Sequence, residues 1–447
     1  MSASLEDLLR DAKVELVVAR AEKDSSVISE IVKYLTSDIR SIRFNAALSL
    51  GELGEKAASS VSELMDCLED NDWSICREAT KSLGKIGEAA VDATPKLSFL
   101  LTDQEVSIRR EAAISLGKIG IASDEAISRL IAALDDQDEE VRTEAAKTLG
   151  KMGHGAHKAI PRLIQSLRDP GWTIRTASAQ AIERIGRGSS AAIPTLIKTL
   201  EDDDWRVRYR SINTLVQIRE PAIPSILEVL NHPNPVVRQG AIEALGEMKV
   251  ADQKIISSIA SMLEDKVESV RGKAADALRS IGRDAIPSLV NSCTLANNKM
   301  KITIISTIGG IGKDAVDAIP ALLGILKSGG TDIRAEAASA LGKIGVPDDS
   351  VVRSLMDGLT DEKSIVRREA ALSLGKLGPS ASASIPALVN ALGDDKPDVR
   401  WRASEALGKV GVSNAGLIPS LTNMLNDEHD YVSEAAQEAL DLIGGEQ

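Results

Sequence analysis

One segment returns along this chain about every 33 residues, and nothing else constrains its folding as strongly. SIRREAAISLGKIG ends at Gly120, EVRTEAAKTLGKMG at Gly153 and DIRAEAASALGKIG at Gly345, while IVRREAALSLGKLG begins at Ile365. A repeat of this length cannot bury its apolar surface alone and must stack on its neighbours, so a domain count taken from length is meaningless. With the arginine of each copy as anchor, thirteen copies align at Arg43, Cys76, Arg109, Arg142, Arg175, Arg208, Arg238, Arg271, Lys301, Arg334, Arg367, Arg400 and Ser433. Ten of the twelve steps are 33 residues, and the other two, Arg208 to Arg238 and Arg271 to Lys301, are 30. The missing three residues fall between repeats, so both helices of each unit should survive.

Within a repeat, apolar or small residues stand one before the anchor and three, seven and ten after it, as in Val141, Ala145, Leu149 and Met152. That spacing is one face of a helix. A second, shorter helix carries the apolar face of Ile160, Leu163 and Leu167. Eight repeats place Pro fourteen before the anchor (Pro95, Pro161, Pro194, Pro224, Pro287, Pro320, Pro386, Pro419), where the first turn of a helix tolerates it. Glycines recur eight and eleven after the anchor, as in Gly117 and Gly120, and both are expected at the helix end, the second stopping the helix. Aromatics make up only 2% of the chain, so the core is aliphatic and small, which favours helix over sheet.

The pattern D-x-x-x-x-V-R-x-x-A-A-x-x-L-G-x-I-G together with A-I-P-x-L-I resembles HEAT repeats, and in particular the short HEAT-like repeats of phycobilisome lyases. The resemblance covers roughly residues 25 to 446. It implies an all-α fold, a right-handed α-solenoid of about 13 HEAT-like helical hairpins, with a concave surface for partners. Residues 1–24 are expected to hold an N-terminal capping helix, with Leu5, Leu8, Leu9, Ala12, Leu16 and Ala19 on one face, and residues 25–447 the array, its polar thirteenth repeat closing the C-terminal end.

Function is narrowed mainly by exclusion. The four histidines, His154, His157, His232 and His429, lack the neighbouring ligands of a metal site, and Cys67, Cys76 and Cys293 are too scattered for thiolate ligation or a disulfide framework. Neither a phosphate-binding loop nor a nucleophile elbow occurs, so no catalytic residue, cofactor or metal is expected. A net charge of −13 opposes a general role on nucleic acid, although residues 158–220 carry a local excess of four cations. No apolar run reaches membrane-spanning length and the N-terminus does not read as a signal peptide, so the expected compartment is the cytoplasm. The favoured function is a non-catalytic scaffold for a protein or peptide partner. The resemblance also allows a bilin lyase subunit or a HEAT-like nucleic-acid binder.

Two periodic features carry more detail. Asp stands six before the anchor in nine repeats, and the first repeat has Arg43 with Ser37 there, whereas the last has Asp427 with Ser433 at the anchor. A ladder in which each Arg bonds the Asp of the next repeat predicts those two exceptions. Positions three before, two before and one after the anchor cannot join the buried stripe, and seven of the nine aromatics occupy them: Phe44, Trp73, Trp172, Trp205, Tyr209, Trp401 and Tyr431. With the interleaved Arg77, Arg110, Arg206, Arg210, Arg368 and Arg402 they form the expected partner-binding face, suited to a segment with apolar and acidic side chains. Repeat nine departs from the pattern at Lys301, Leu295 and Cys293 and is expected to be a soft point.

Overall fold

The computed structural model describes residues 4–186, 188–412 and 414–444, and among these are 28 α-helices and no strand. Every repeat is a helical hairpin. Its short first helix starts with the proline in the first turn, as in Thr94–Phe99, Ile160–Ser166 and Ile385–Ala391, where the absent N–H breaks no bond. Its long second helix ends where the backbone turns to positive φ, at Gly54, Gly87, Gly120, Gly282, Gly312 and Gly378 among others. In repeats six and seven Arg219 and Lys249 take that place with φ of 65° and 48°. The two 30-residue steps keep both helices and shorten the linker between repeats: Glu220–Ala222 and Gly282–Ala285 replace a seven-residue 3-10 stretch such as Gly54–Ser60.

The chain falls into two compact units, Met1–Ser225 and Ile226–Gln447. The first unit holds the second helices Arg40–Leu53, Trp73–Ile86, Val106–Ile119, Glu139–Lys151, Trp172–Ile185 and Trp205–Ile218. The second holds Pro235–Met248, Glu268–Ile281, Asn298–Ile311, Thr331–Ile344, Ser364–Leu377, Pro397–Val410 and Asp430–Gly444. Within each unit, consecutive second helices pack side by side. Val141, Ala145, Leu149 and Met152 are all buried, as are Ile160, Leu163 and Leu167.

One local expectation needs correction. The N-terminal segment is two helices, Leu5–Arg10 and Val14–Lys23, separated at Ala12, whose φ is 56°. The break rotates the second helix, so Val17 and Ala21 are buried while Leu16 is 54% exposed. Both helices lie against Arg40–Leu53, and buried Asn45 donates its side-chain N–H to the Leu9 carbonyl at 2.7 Å. The ends of the expected cap and array, residues 1–3 and 445–447, lie outside the described residues. The glycine eight after the anchor lies in the last turn of the second helix, as expected, and has a further role there. A Cβ on Gly150, Gly375 or Gly408 would come within 2.7–3.0 Å of the Cα of Ala181, Ala406 or Ala439 in the next repeat. Three of the facing Ser or Thr residues also bond backward: Ser82, Thr148 and Ser373 donate to the carbonyls of Ala47, Ala113 and Ala338 at 2.8 Å. Glycine and a small partner thus allow adjacent second helices to touch backbone to backbone.

Candidate partner-binding face

The ladder aligns the starts of the second helices, and so it sets the face that carries the aromatics. Eight rungs are formed among the described residues: Arg43–Asp70, Arg109–Asp136, Arg142–Asp169 and Arg175–Asp202 in the first unit, and Arg238–Asp265, Arg334–Asp361, Arg367–Asp394 and Arg400–Asp427 in the second. In each, the arginine Nε donates to one carboxylate oxygen at 2.6–2.9 Å. Its Nη2 donates to the other at 2.7–3.3 Å. The third nitrogen, Nη1, binds a loop carbonyl of its own repeat, such as that of Asp103 for Arg109 at 2.9 Å. The aspartate in turn accepts from the backbone N–H two residues on, as Asp136 does from Asp138 at 2.9 Å, which shapes the loop leading into the next second helix. One bidentate pair therefore pins two loops.

The electrostatics follow from this geometry. Burial works against ionisation of Asp136, Asp265 and Asp361, but their arginine and backbone bonds outweigh it and hold each carboxyl below the usual range. The bond from Arg400 is the main cause of the same shift at Asp427. Among the described residues Asp103 has no such partner, because Cys76 occupies the anchor position; burial, and then the Asp103 charge, push that thiol up to about 11. Burial likewise raises Cys67 to about 11.

The side chains expected to face outward divide into two groups. Trp205, Tyr209 and Trp172 are 62%, 46% and 39% exposed, and Trp73 and Tyr431 are exposed as well. Phe44 and Trp401 are half-buried. In the first unit, the Arg206 guanidinium lies 3.7 Å from the centre of the Trp172 ring and 5.9 Å from that of Trp205, and it bonds Asp204 at 2.9 Å. One arginine thus ties the aromatics of repeats five and six together. Arg210 stands 5.8 Å from the Tyr209 ring and Arg77 5.5 Å from that of Trp73, both looser arrangements. In the second unit, Arg402 stacks on Trp401 at 3.5 Å and Trp401 meets Tyr431 edge to face, while the Tyr431 hydroxyl donates to Asp398 at 3.2 Å. Arg110 pairs with Glu140 and Arg368 with Glu369. These carboxylate partners are what the sequence reading missed: several of the expected arginines are already engaged by neighbours one to three residues or one repeat away.

Among the described residues no group of three or more His, Cys, Asp and Glu is placed to hold a metal ion, and no helix is long and apolar enough to cross a membrane.

Family models described as HEAT repeats match residues 28–114, 93–183, 223–300, 286–375 and 352–441, and a single HEAT repeat matches 192–218. The chain belongs to the HEAT-repeat family. No curated protein matches this HEAT-repeat chain. Among solved structures it is similar to Kap121p bound to Pho4p, at 16% identity, covering 93% of this chain and 52% of that one with a TM-score of 0.57. It is similar also to Kap121p bound to Nup53p, at 14% identity, covering 99% of this chain and 58% of that one with a TM-score of 0.55. An engineered protein matches at 26% identity over 43% of this chain and 97% of its own, with a TM-score of 0.37. The chain spans about half the length of the Kap121p structures, and at these identities the likeness is one of fold.

Proposed function

We propose that this HEAT-repeat protein is a non-catalytic scaffold that binds an extended protein segment across the second-helix starts of repeats five and six, on the face that the family resemblance makes concave. The observation that carries this reading is the exposed group of Trp172, Trp205 and Tyr209 on two adjacent helices of one unit, with Arg206 held between the two tryptophans. Large rigid aromatics beside guanidinium groups are the side chains that dominate protein interfaces, and leaving them in water has no folding benefit. Arg210, beside Tyr209, suits an acidic side chain of the partner, since it has no carboxylate partner among the described residues. The protein complexes in which Kap121p has been solved, with Pho4p and with Nup53p, support a protein partner for the shared fold.

The test is capture of partners from native lysate by the full chain and by Trp205→Ala, followed by affinity measurement on the captured protein. Trp205→Ala should weaken binding by about 2 kcal/mol or more. Its melting temperature should stay nearly unchanged, because most of the ring is already solvated. A variant that melts early and still binds normally would show that Trp205 is a packing residue and would remove the proposed face.

A further inference from the structure

The ladder breaks at two consecutive anchors of the second unit, Arg271 and Lys301. Arg271 keeps half of the rung geometry: its Nη1 donates to the Asp265 carbonyl at 2.8 Å and to that of Lys266 at 3.3 Å, as the other anchors do to their own loops. The other half is missing. The position of the next aspartate is Leu295, whose side chain is 86% exposed, so Nε and Nη2 have no carboxylate among the described residues. Arg271 instead lines a cleft of about 360 Å³ with Lys266, Asn297 and Lys299. Both lysines are exposed and form no ion pair among the described residues; of the two carboxylates in the cleft, Asp265 is taken by Arg238 and Glu264 is exposed and forms no ion pair among the described residues.

The next rung is open for a different reason. Lys301 faces Ser328 at the aspartate position, and beside it lies a mainly apolar cleft of about 510 Å³ lined by Val290, Cys293, Ile308, Leu322, Ile325 and Ile333. Cys293 stands where each of the other twelve repeats has Leu, and a Cβ on Gly324, in the same wall, would have no atom within 4 Å. Smaller side chains at these positions create the space, and Lys301 at its edge makes no ion pair among the described residues.

We propose that repeats eight to ten form a receptor for an acidic and apolar peptide segment of a partner, whose carboxylate completes the rung at Arg271 and whose apolar side chain enters the cleft beside Cys293. The eight closed rungs of this chain are the precedent for the first contact: with its Nη1 clamped in the same way, the remaining edge of the guanidinium is set to donate two parallel bonds to a planar carboxylate. Four cations without carboxylate partners, against the single unpaired carboxylate of Glu264, in a chain of net charge −13, supply the charge complementarity. This site is separate from the aromatic face in the first unit and does not depend on it.

The experiment uses the full chain and a pool of labelled hexapeptides with one fixed Asp and varied apolar flanks, beside the same pool with Asn. The Asp pool should bind saturably and the Asn pool about tenfold more weakly or not at all. Arg271→Ala and Leu295→Asp should each reduce Asp-pool binding about tenfold, the second because it closes the rung from within, and Cys293→Leu should reduce it by filling the cleft. Leu295→Asp should also raise the melting temperature, which keeps the test independent of any one peptide. Equal binding of the two pools, indifference to Leu295→Asp in both binding and melting, or no binding at all would overturn the proposal.

Discussion

Arg219 does what a glycine does elsewhere in this fold. Its φ of 65° and ψ of −130° match those of Gly54, Gly87, Gly282, Gly312 and Gly378 at the ends of their own second helices. A side chain in that region meets its own backbone, at a cost of about 1–3 kcal/mol. Arg219→Gly should therefore raise stability by about 1 kcal/mol in chemical denaturation, even after the extra unfolded-state entropy of glycine. The glycines inside the helices follow the opposite rule. Gly→Ala in a helix interior normally stabilises by about 1 kcal/mol, and Gly272→Ala should do so, because a Cβ there has no atom within 4 Å. Gly375→Ala should instead cost about 1–3 kcal/mol, since its Cβ would sit 3.0 Å from the Ala406 Cα and force two helices apart. Denaturation midpoints of the two variants, measured side by side, check both signs.

Between elements, the Arg–Asp rung is the unit of coupling. Arg400 joins two carboxylate oxygens of Asp427 to the Asp394 carbonyl, so its removal leaves a largely buried carboxylate in the next repeat without its cation. Arg400→Ala should cost about 2 kcal/mol and act first on the last two repeats. Lys301→Ala should cost far less, because Lys301 has no carboxylate partner among the described residues to release. Hydrogen exchange resolved by segment would test the contrast: faster exchange in 397–444 for Arg400→Ala, and little change around 298–311 for Lys301→Ala. Repeat nine lacks a rung to its neighbour on either side and encloses the apolar cleft, so residues 285–312 should exchange faster than the flanking repeats in the unaltered protein. Uniform protection there would refute this local softness.

For the molecule as a whole, the same rung recurring eight times makes stability depend on pH in a defined direction. Asp136, Asp265, Asp361 and Asp427 have folded pKa values below the ordinary carboxyl range. A depressed folded pKa adds stability that is fully present above the unfolded value of about 3.9 and is lost as pH falls through the folded one. The melting temperature should thus hold near its plateau above about pH 5 and fall steeply below about pH 4. Arg400→Ala should show a shallower acid limb, since one rung has already gone. A flat profile down to pH 2 would mean that the rungs add nothing to folding. Two compact units make this a test best read by calorimetry, where each unit can unfold as its own transition.

The repeat, the hairpin and the rung were legible in sequence because each depends on signals that act locally or at a fixed offset. Proline opens the first helix and glycine closes the second within a single turn, and the Arg–Asp spacing announces itself by failing at both ends of the array, at Ser37 and Ser433. The outward placement of Trp172, Trp205 and Tyr209 followed in the same way from their offsets relative to the buried stripe. What only the tertiary structure decided depends on which neighbour comes close. The glycine eight after the anchor marks the last turn of its helix, but its close approach to Ala181 or Ala406 shows only in the fold. Arg206, Arg110 and Arg402 looked free until Asp204, Glu140 and Glu405 were found beside them. The break at Ala12 and the clefts at Arg271 and Cys293 belong to the same class. Helix boundaries are set by a few dihedrals of one segment, whereas a contact between helices is the outcome of all the side chains along both of them, and no single spacing encodes that sum.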